Sequence, residues 1–309
     1  MSLFSIAIHG GAGTLVKGMM TPELETQYKE ALQKSLDAGY AILEKGGVAI
    51  DAVEEAVKLL EDSPLFNAGK GSVFTANETH EMDAAIMDGK TLNAGAVSLI
   101  SGIKNPVSLA KDVMEKSEHV FLAGDGAMEF AKQLEYSLED ERYFYDEFRH
   151  DQWLEIKDTD SFQLDHAKKK DSKFGTVGAV ACDVNGNIAA ATSTGGMTNK
   201  KWGRVGDSPM IGSGNYANNK TCAISCTGSG EFFIRGVVAY DVACLIEHKG
   251  MSLEEASNEV IHKRILEIGG DGGLIAVDTE GNIAMPFNTE GMYRAEKASN
   301  GREEVSIYK

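Results

Sequence analysis

Four cysteines in 309 residues, with no CxxC pair and no histidine at zinc-finger spacing, exclude a disulfide scaffold and a cysteine-based metal site. Cys182, Cys222, Cys226 and Cys244 all lie in the second half among apolar neighbours, so buried, reduced thiols are expected. The seven histidines show no ligand spacing, and His9, ahead of a glycine run, reads as a packed structural residue. No apolar run approaches the roughly 20 residues that a membrane-spanning helix needs. The start, MSLFSIAIHGG, has no basic leader and no long apolar stretch. Basic residues are outnumbered 47 to 30, and the net charge of −17 argues against nucleic acid or an anionic membrane as the main partner. A cytoplasmic protein is expected.

What is present is ample apolar content, 42%, enough for a large core. Phe4 to Ile8 reads as a buried strand running into His9-Gly10-Gly11-Ala12-Gly13. Thr21-Pro22 opens a helix as N-cap and first helical residue, with Leu32, Leu36 and Leu43 at helical spacing. Ile50, Val53, Val57 and Leu60 mark a second helix. Strands are expected near 72–75, 81–87 and 93–100, and helices near 105–117, 125–135 and 139–156. Asp158 to Ser172, DTDSFQLDHAKKKDS, is polar and without apolar period and reads as a mobile linker. Strands follow at 176–183, 188–193 and 221–226, then a helix from Glu231 to His248. Ser252-Leu-Glu-Glu255 is a capping box opening a helix to about Ile268. A last hairpin pairs 273–278 with 282–287. The turn Asp183-x-x-Gly186-Asn187-Ile188-Ala189 recurs as Asp278-x-x-Gly281-Asn282-Ile283-Ala284, which suggests either two hairpins facing each other in stacked sheets or shared turn chemistry alone. Strands and helices in blocks, without βαβ alternation, favour layered antiparallel sheets flanked by helices.

A two-residue turn at Asn185-Gly186 would set Val177 opposite Thr194 and Thr176 opposite Gly195. Even with a slip of one, the two threonines end at the same end of one ladder. A threonine in a strand is ordinarily a β-former, but this pair lies where a polar linker meets a core strand. Such a junction suits autoproteolysis: a threonine hydroxyl attacks the preceding carbonyl, and water cleaves the resulting ester. Gly175 is small and tolerates strained dihedrals. The new amino terminus at Thr176 would carry an amine of reference pKa about 7.7–8, able to take the proton of its own hydroxyl.

The stretch resembles the plant-type (type III) L-asparaginases and isoaspartyl peptidases, a branch of the N-terminal-nucleophile hydrolases. The matching pieces run in family order along almost the whole chain: HGGAG at 9–13, PLFNAG at 64–69, DAAIMDG at 83–89, NAGAV at 93–97, GTVGAV at 175–180, ATSTGGMTN at 191–199, GRVGDSP at 203–209, YANN at 216–219 and SCTGSGE at 225–231. The resemblance implies an α+β fold, a four-layer αββα sandwich spanning 1–309. It implies processing into a chain of 1–175, ending in the linker at 158–175, and a chain of 176–309, with two such pairs associating.

By the same resemblance Thr176 is the nucleophile after cleavage at Gly175-Thr176, and Thr194 tunes its hydroxyl. Arg204 and Asp207 form a clamp, Arg204 for an α-carboxylate and Asp207 for an α-ammonium; a plain surface ion pair would need no surrounding glycines. Thr227 and Gly228 supply oxyanion donors, Gly230 lines the substrate pocket, and Asn67 lies near the nucleophile. Backbone carbonyls of Leu60, Glu61, Ser63, Phe66, Ala68 and Lys70 are expected to wrap a sodium ion, and no organic cofactor is implied. Trp202 is bulkier than expected there and is expected to narrow the pocket entrance.

The activity implied is hydrolysis of L-asparagine and of β-aspartyl (isoaspartyl) dipeptides, both small-molecule substrates. A glycosylasparaginase is the alternative within the class, weakened by the few cysteines and the lack of a signal peptide. A threonine endopeptidase lacks the long insert it would need. A nucleotide-binding module fails because Val16 stands where HGGAG would need its third glycine.

Overall fold

Every residue of the strand Ser5–Gly13 (β1) is buried, which a strand achieves only when both faces of its sheet are covered. The computed structural model describes residues 3–158 and 175–309, so the expected linker lies outside the described residues apart from Asp158 and Gly175. The strands that follow are Met82–Asp88 (β2), Ala94–Ile100 (β3), Phe121–Ala123 (β4), Val177–Cys182 (β5), Ile188–Thr194 (β6), Asn215–Ala217 (β7), Ala223–Gly228 (β8), Gly272–Val277 (β9), Ile283–Ala284 (β10), Gly291–Ala298 (β11) and Glu303–Tyr308 (β12). Eight form one sheet in the order β12-β11-β1-β5-β6-β2-β3-β4, and four form a second in the order β10-β9-β8-β7.

Three apolar layers hold these sheets together. Helices Pro22–Glu44 (α1), Ala49–Glu61 (α2) and Pro106–Lys116 (α3) cover the outer face of the large sheet, where Leu32, Leu36, Val53, Val57 and Leu60 are fully buried against Ile6 and Ile8. Each such side chain contributes on the order of 1.5–3 kcal/mol on burial. Between the sheets, Val180, Cys182, Ile188, Ala190 and Met292 meet Ala223, Ile275 and Val277. Gly230–Gly236 (α4), Val238–Lys249 (α5) and Leu253–Glu259 (α6) pack Phe233, Val242 and Ala256 on the outer face of the small sheet. Two sheets between two helical layers make the α+β sandwich that the sequence implied.

The helix starts obey local chemistry. The Thr21 hydroxyl accepts from Leu24 N–H at 3.2 Å, and Ser252 and Glu255 cap each other reciprocally. Several expectations fail. Residues 72–74 form no strand; Thr75 makes only an isolated bridge to Lys200. The helix expected over 139–156 is two, Glu141–Phe144 and Glu147–Ile156, each opened by its own aspartate cap, Asp140 and Asp146. The helix expected from Glu231 to His248 breaks at Val237, whose φ of 46° is left-handed. Val260–Arg264 adopts a π-helical turn within the last helix.

The register of the β5–β6 hairpin differs by one from the expectation. Val177 pairs with Ser193 and Gly178 with Thr192. The Asp183 carboxylate accepts from the N–H groups of Asn185 and Asn187, and Gly186 takes φ 75°, so the loop is one residue longer than a two-residue turn. Continued outward, this register brings Thr176 level with Thr194. Asp278 and Gly281 repeat the same turn in the small sheet. The two turns touch, since the Cys182 thiol reaches Thr279 O at 3.6 Å.

Candidate active site

Thr176 is 8% exposed, at the mouth of β5. Its Oγ1 donates to Thr194 Oγ1 at 3.3 Å, and Thr194 Oγ1 donates in turn to the Gly175 carbonyl at 2.8 Å. Gly196 N–H donates to Thr194 Oγ1 at 3.0 Å and fixes that hydroxyl. The Thr194 hydroxyl thus polarises the carbonyl that a Thr176 attack would target. Ser208 Oγ lies 3.4 Å from Thr176 Oγ1.

Asn67 braces the same corner. Its Oδ1 accepts from Val73 N–H at 3.0 Å, its Nδ2 donates to Gly196 O at 2.7 Å, and its own carbonyl accepts from Gly195 N–H at 3.0 Å. Gly175 lies hard against it: a Cβ on Gly175 would sit 1.8 Å from Asn67 Cβ. Glycine before Thr176 is therefore a steric requirement.

Arg204 and Asp207, expected to form a clamp, come together at Gly230, where an added Cβ would lie 2.9 Å from both Arg204 Nη2 and Asp207 Oδ1. Asp207 is buried and its Oδ2 has no hydrogen-bond partner among the described residues. Burial pushes its carboxyl up to about 7, against the opposing pull of Arg204. Arg204 does not pair with it: Nε and Nη2 form a fork on Glu231 at 2.8 and 2.9 Å. Glu231 is held below its ordinary value, because burial raises it less than the bond to Arg204 and that residue's charge lower it.

Thr227 is buried on β8, and its Oγ1 accepts from Ala12 N–H at 3.2 Å. Gly228 follows at φ 153°, and a Cβ there would meet Asp271 O at 2.4 Å. Thr227 belongs to this corner by register: β8 lies against β5 with Ser225 over Gly178, and two residues forward from Ser225 and two residues back from Gly178 lead to Thr227 and Thr176.

A family model described as Asparaginase matches residues 2–307. The chain belongs to the asparaginase family. It is 51% identical over 307 residues to an isoaspartyl peptidase of Escherichia coli (strain K12), covering 98% of this chain and 96% of that one. It is 46% identical to a putative isoaspartyl peptidase/L-asparaginase of Dictyostelium discoideum, with 98% of each covered. A plant-type L-asparaginase of Pyrococcus horikoshii is 44% identical over 300 residues, covering 94% of this chain and 95% of the relative.

Within this asparaginase frame, the expected cation loop is built from main-chain oxygen. A Cβ on Gly69 (φ 53°) would sit 2.4 Å from Glu61 O, and one on Gly71 would sit 2.1 Å from Phe66 O. Carbonyls therefore crowd the inside of the loop; Phe66 and Ala68 each keep a lone pair beyond the one given to Ala68 and Gly71 N–H, while Leu60 O already accepts from both Asp62 and Ser63 N–H. No group of three His, Cys, Asp or Glu side chains able to hold a metal occurs among the described residues. The donor set fits a hard monovalent cation. The Glu61 side chain turns away to accept from Val107 N–H at 3.0 Å and Asn105 Nδ2 at 3.2 Å, with burial pushing its carboxyl up to about 8.

Sequence reasoning missed Ser208, Glu231 and Lys200. Ser208 was visible beside Asp207, and Glu231 closes SCTGSGE, but only the fold brings them to Thr176 and Arg204. Lys200 is buried, donates to Glu81 O at 2.7 Å and lies behind Gly196. Trp202 is 90% exposed, with a left-handed φ of 57°. The cysteine expectation holds, with all four free and three buried. No helix among the described residues is long and apolar enough to cross a membrane.

Proposed function

We propose that the chain is an autoprocessing threonine amidohydrolase that converts L-asparagine to aspartate and ammonia and hydrolyses β-aspartyl dipeptides. The observation that carries this reading is the line Thr176 O–H to Thr194 Oγ1, and Thr194 O–H to Gly175 O, together with an Asp207 carboxylate oxygen that has no hydrogen-bond partner among the described residues.

In processing, Thr176 Oγ1 attacks the Gly175 carbonyl carbon while Thr194 donates to its oxygen. The C–N bond breaks, the nitrogen takes the hydroxyl proton, and water opens the ester to leave a Gly175 carboxylate and a free Thr176 amine. In turnover, that amine takes the proton of Thr176 Oγ1 as it attacks the substrate's β-carbonyl. The proton then passes to the departing ammonia or amino acid, and water releases aspartate from the acyl-enzyme. Thr227 Oγ1 and Gly228 N–H are assigned to the oxyanion.

Asp207 Oδ2 receives the α-ammonium, which satisfies an otherwise costly buried carboxylate. Arg204 receives the α-carboxylate on its Nη1/Nη2 edge, because Glu231 already occupies the Nε/Nη2 edge. Gly230 leaves room for both. A sodium ion held by carbonyls of Leu60, Glu61, Ser63, Phe66, Ala68 and Lys70 would stiffen the loop that carries Asn67. Free cysteines support a cytoplasmic location, and the family membership supports a mature dimer of processed pairs.

The test uses the wild type and Thr176→Ala, assayed for release of ammonia from asparagine and of amino acid from a β-aspartyl dipeptide. Thr176→Ala should stay one chain and hydrolyse neither; turnover by it would overturn the reading.

A further inference from the structure

His9 lies on β1 opposite Gly178, at full burial. Its Nδ1 is 3.0 Å from the main-chain carbonyl of Thr176. A carbonyl only accepts, so Nδ1 carries the ring proton. Burial lowers the imidazole to about 3, against the opposing effect of the hydrogen bond that Nδ1–H donates to Thr176 O, which leaves the ring neutral and Nε2 an acceptor. Ser225 Oγ, 2.9 Å away, must then donate to Nε2. Having spent its proton, Ser225 Oγ accepts from Thr192 Oγ1 at 2.7 Å, a shorter contact than the 3.3 Å from the same hydroxyl to Gly214 O, and Thr192 Oγ1 accepts from Asn215 Nδ2 at 3.0 Å. All four side chains are fully buried, and they join β1 and β6 of one sheet to β7 and β8 of the other.

Gly178 makes room for this line. A Cβ there would lie 1.9 Å from Ser225 Oγ and 2.5 Å from His9 Nε2. The glycine of GTVGAV is thus the gap through which a polar line crosses β5.

We propose that His9, Ser225, Thr192 and Asn215 form a one-directional hydrogen-bond chain that anchors the Thr176 carbonyl, making His9 a positioning residue for the nucleophile. The inference rests on the function proposed above. Cleavage removes the covalent tether on the nitrogen side of Thr176, so its carbonyl becomes the nearest fixed point of the backbone. Holding that carbonyl sets where both the freed amine and Oγ1 point. No carboxylate pairs with the ring among the described residues, so His9 takes no part in proton transfer.

Imidazole nitrogen NMR on the wild type should show the Nδ1–H tautomer, neutral throughout pH 5–8. An Nε2–H tautomer, or titration near 6–7, overturns the proposal without any variant having to fold. His9→Gln, whose amide reaches Ser225 but not Thr176 O, should slow both cleavage and kcat about 10–100-fold with KM within about 2-fold. His9→Asn places a donor near Nδ1 and should stay within about 5-fold of wild type. A merely structural histidine would lower Tm in both variants and leave kcat intact below unfolding. An active wild type with an unaffected His9→Gln overturns this inference alone. A wild type that neither cleaves nor hydrolyses overturns this inference and the proposed function together.

Discussion

Replacing Gly175 by alanine puts a methyl group where the structure has 1.8 Å to the nearest atom, Asn67 Cβ, with Asn67 Cα and N at 2.8 Å. Ordinary contact starts near 3.4 Å, so the Gly175 backbone or the Asn67 loop must retreat by about 1.6 Å. Asn67 is tied to Val73, Gly195 and Gly196 by three hydrogen bonds, so Gly175 is the side that moves. Such a shift breaks the 2.8 Å bond from Thr194 to the Gly175 carbonyl. Misplacement of a reacting group by about 1 Å costs on the order of 100-fold in rate. Gly175→Ala should therefore cleave at least 100-fold more slowly, followed by intact mass from the moment of purification. The clash lies on the severed side, so the material that does mature should have an unchanged kcat. Cleavage within 3-fold of wild type would refute this steric account of the junction.

Thr194→Val keeps the shape of the residue and removes the donor to Gly175 O, so processing should slow by about 100-fold, near the loss of one oxyanion donor. Asp207 has a folded value of about 7 against an ordinary 3.8, so below pH 7 its proton competes with the substrate ammonium; kcat/KM should fall with a slope approaching two decades per pH unit in wild type, from Asp207 and the Thr176 amine, and one in Asp207→Asn. Between those two values the folded chain holds a proton that the unfolded chain has lost, so this burial lowers stability as pH rises, and Asp207→Asn should gain Tm over wild type most at pH 8. Arg204→Lys cannot serve Glu231 and a substrate carboxylate at once and should raise KM about 10-fold or more with little change in kcat.

Much of the layered fold was readable because both sheets and both helical layers leave periodic apolar marks: Leu32 and Leu36 in α1, Val53 and Val57 in α2, and the unbroken apolar run of β5. The hairpin register was not, because the choice between a two-residue turn and its longer form depends on the Asp183 carboxylate capturing Asn185 and Asn187 N–H. Local sequence does not reveal that competition. The meeting of Thr176 with Thr194 at one end of the ladder was legible from the hairpin turn and the linker before it, whereas the clamp expected of Arg204 and Asp207 came from the family resemblance. Glu231 and Ser208 were not, since their partners are set by how β8 and the 203–209 loop meet in space. His9 was rightly read as packed, but its bond to Thr176 O joins residues 167 apart, which no local pattern encodes.

On the proposed mechanism Thr176 becomes both an amino terminus and the attacking hydroxyl. The decisive measurement is amino-terminal sequencing of the smaller fragment from a preparation whose asparagine hydrolysis has been measured. The sequence TVGAV, from Thr176 onward, is the predicted result, with activity rising in step with that fragment. An active preparation whose fragment starts elsewhere, or that remains a single 33.2 kDa chain, would contradict it.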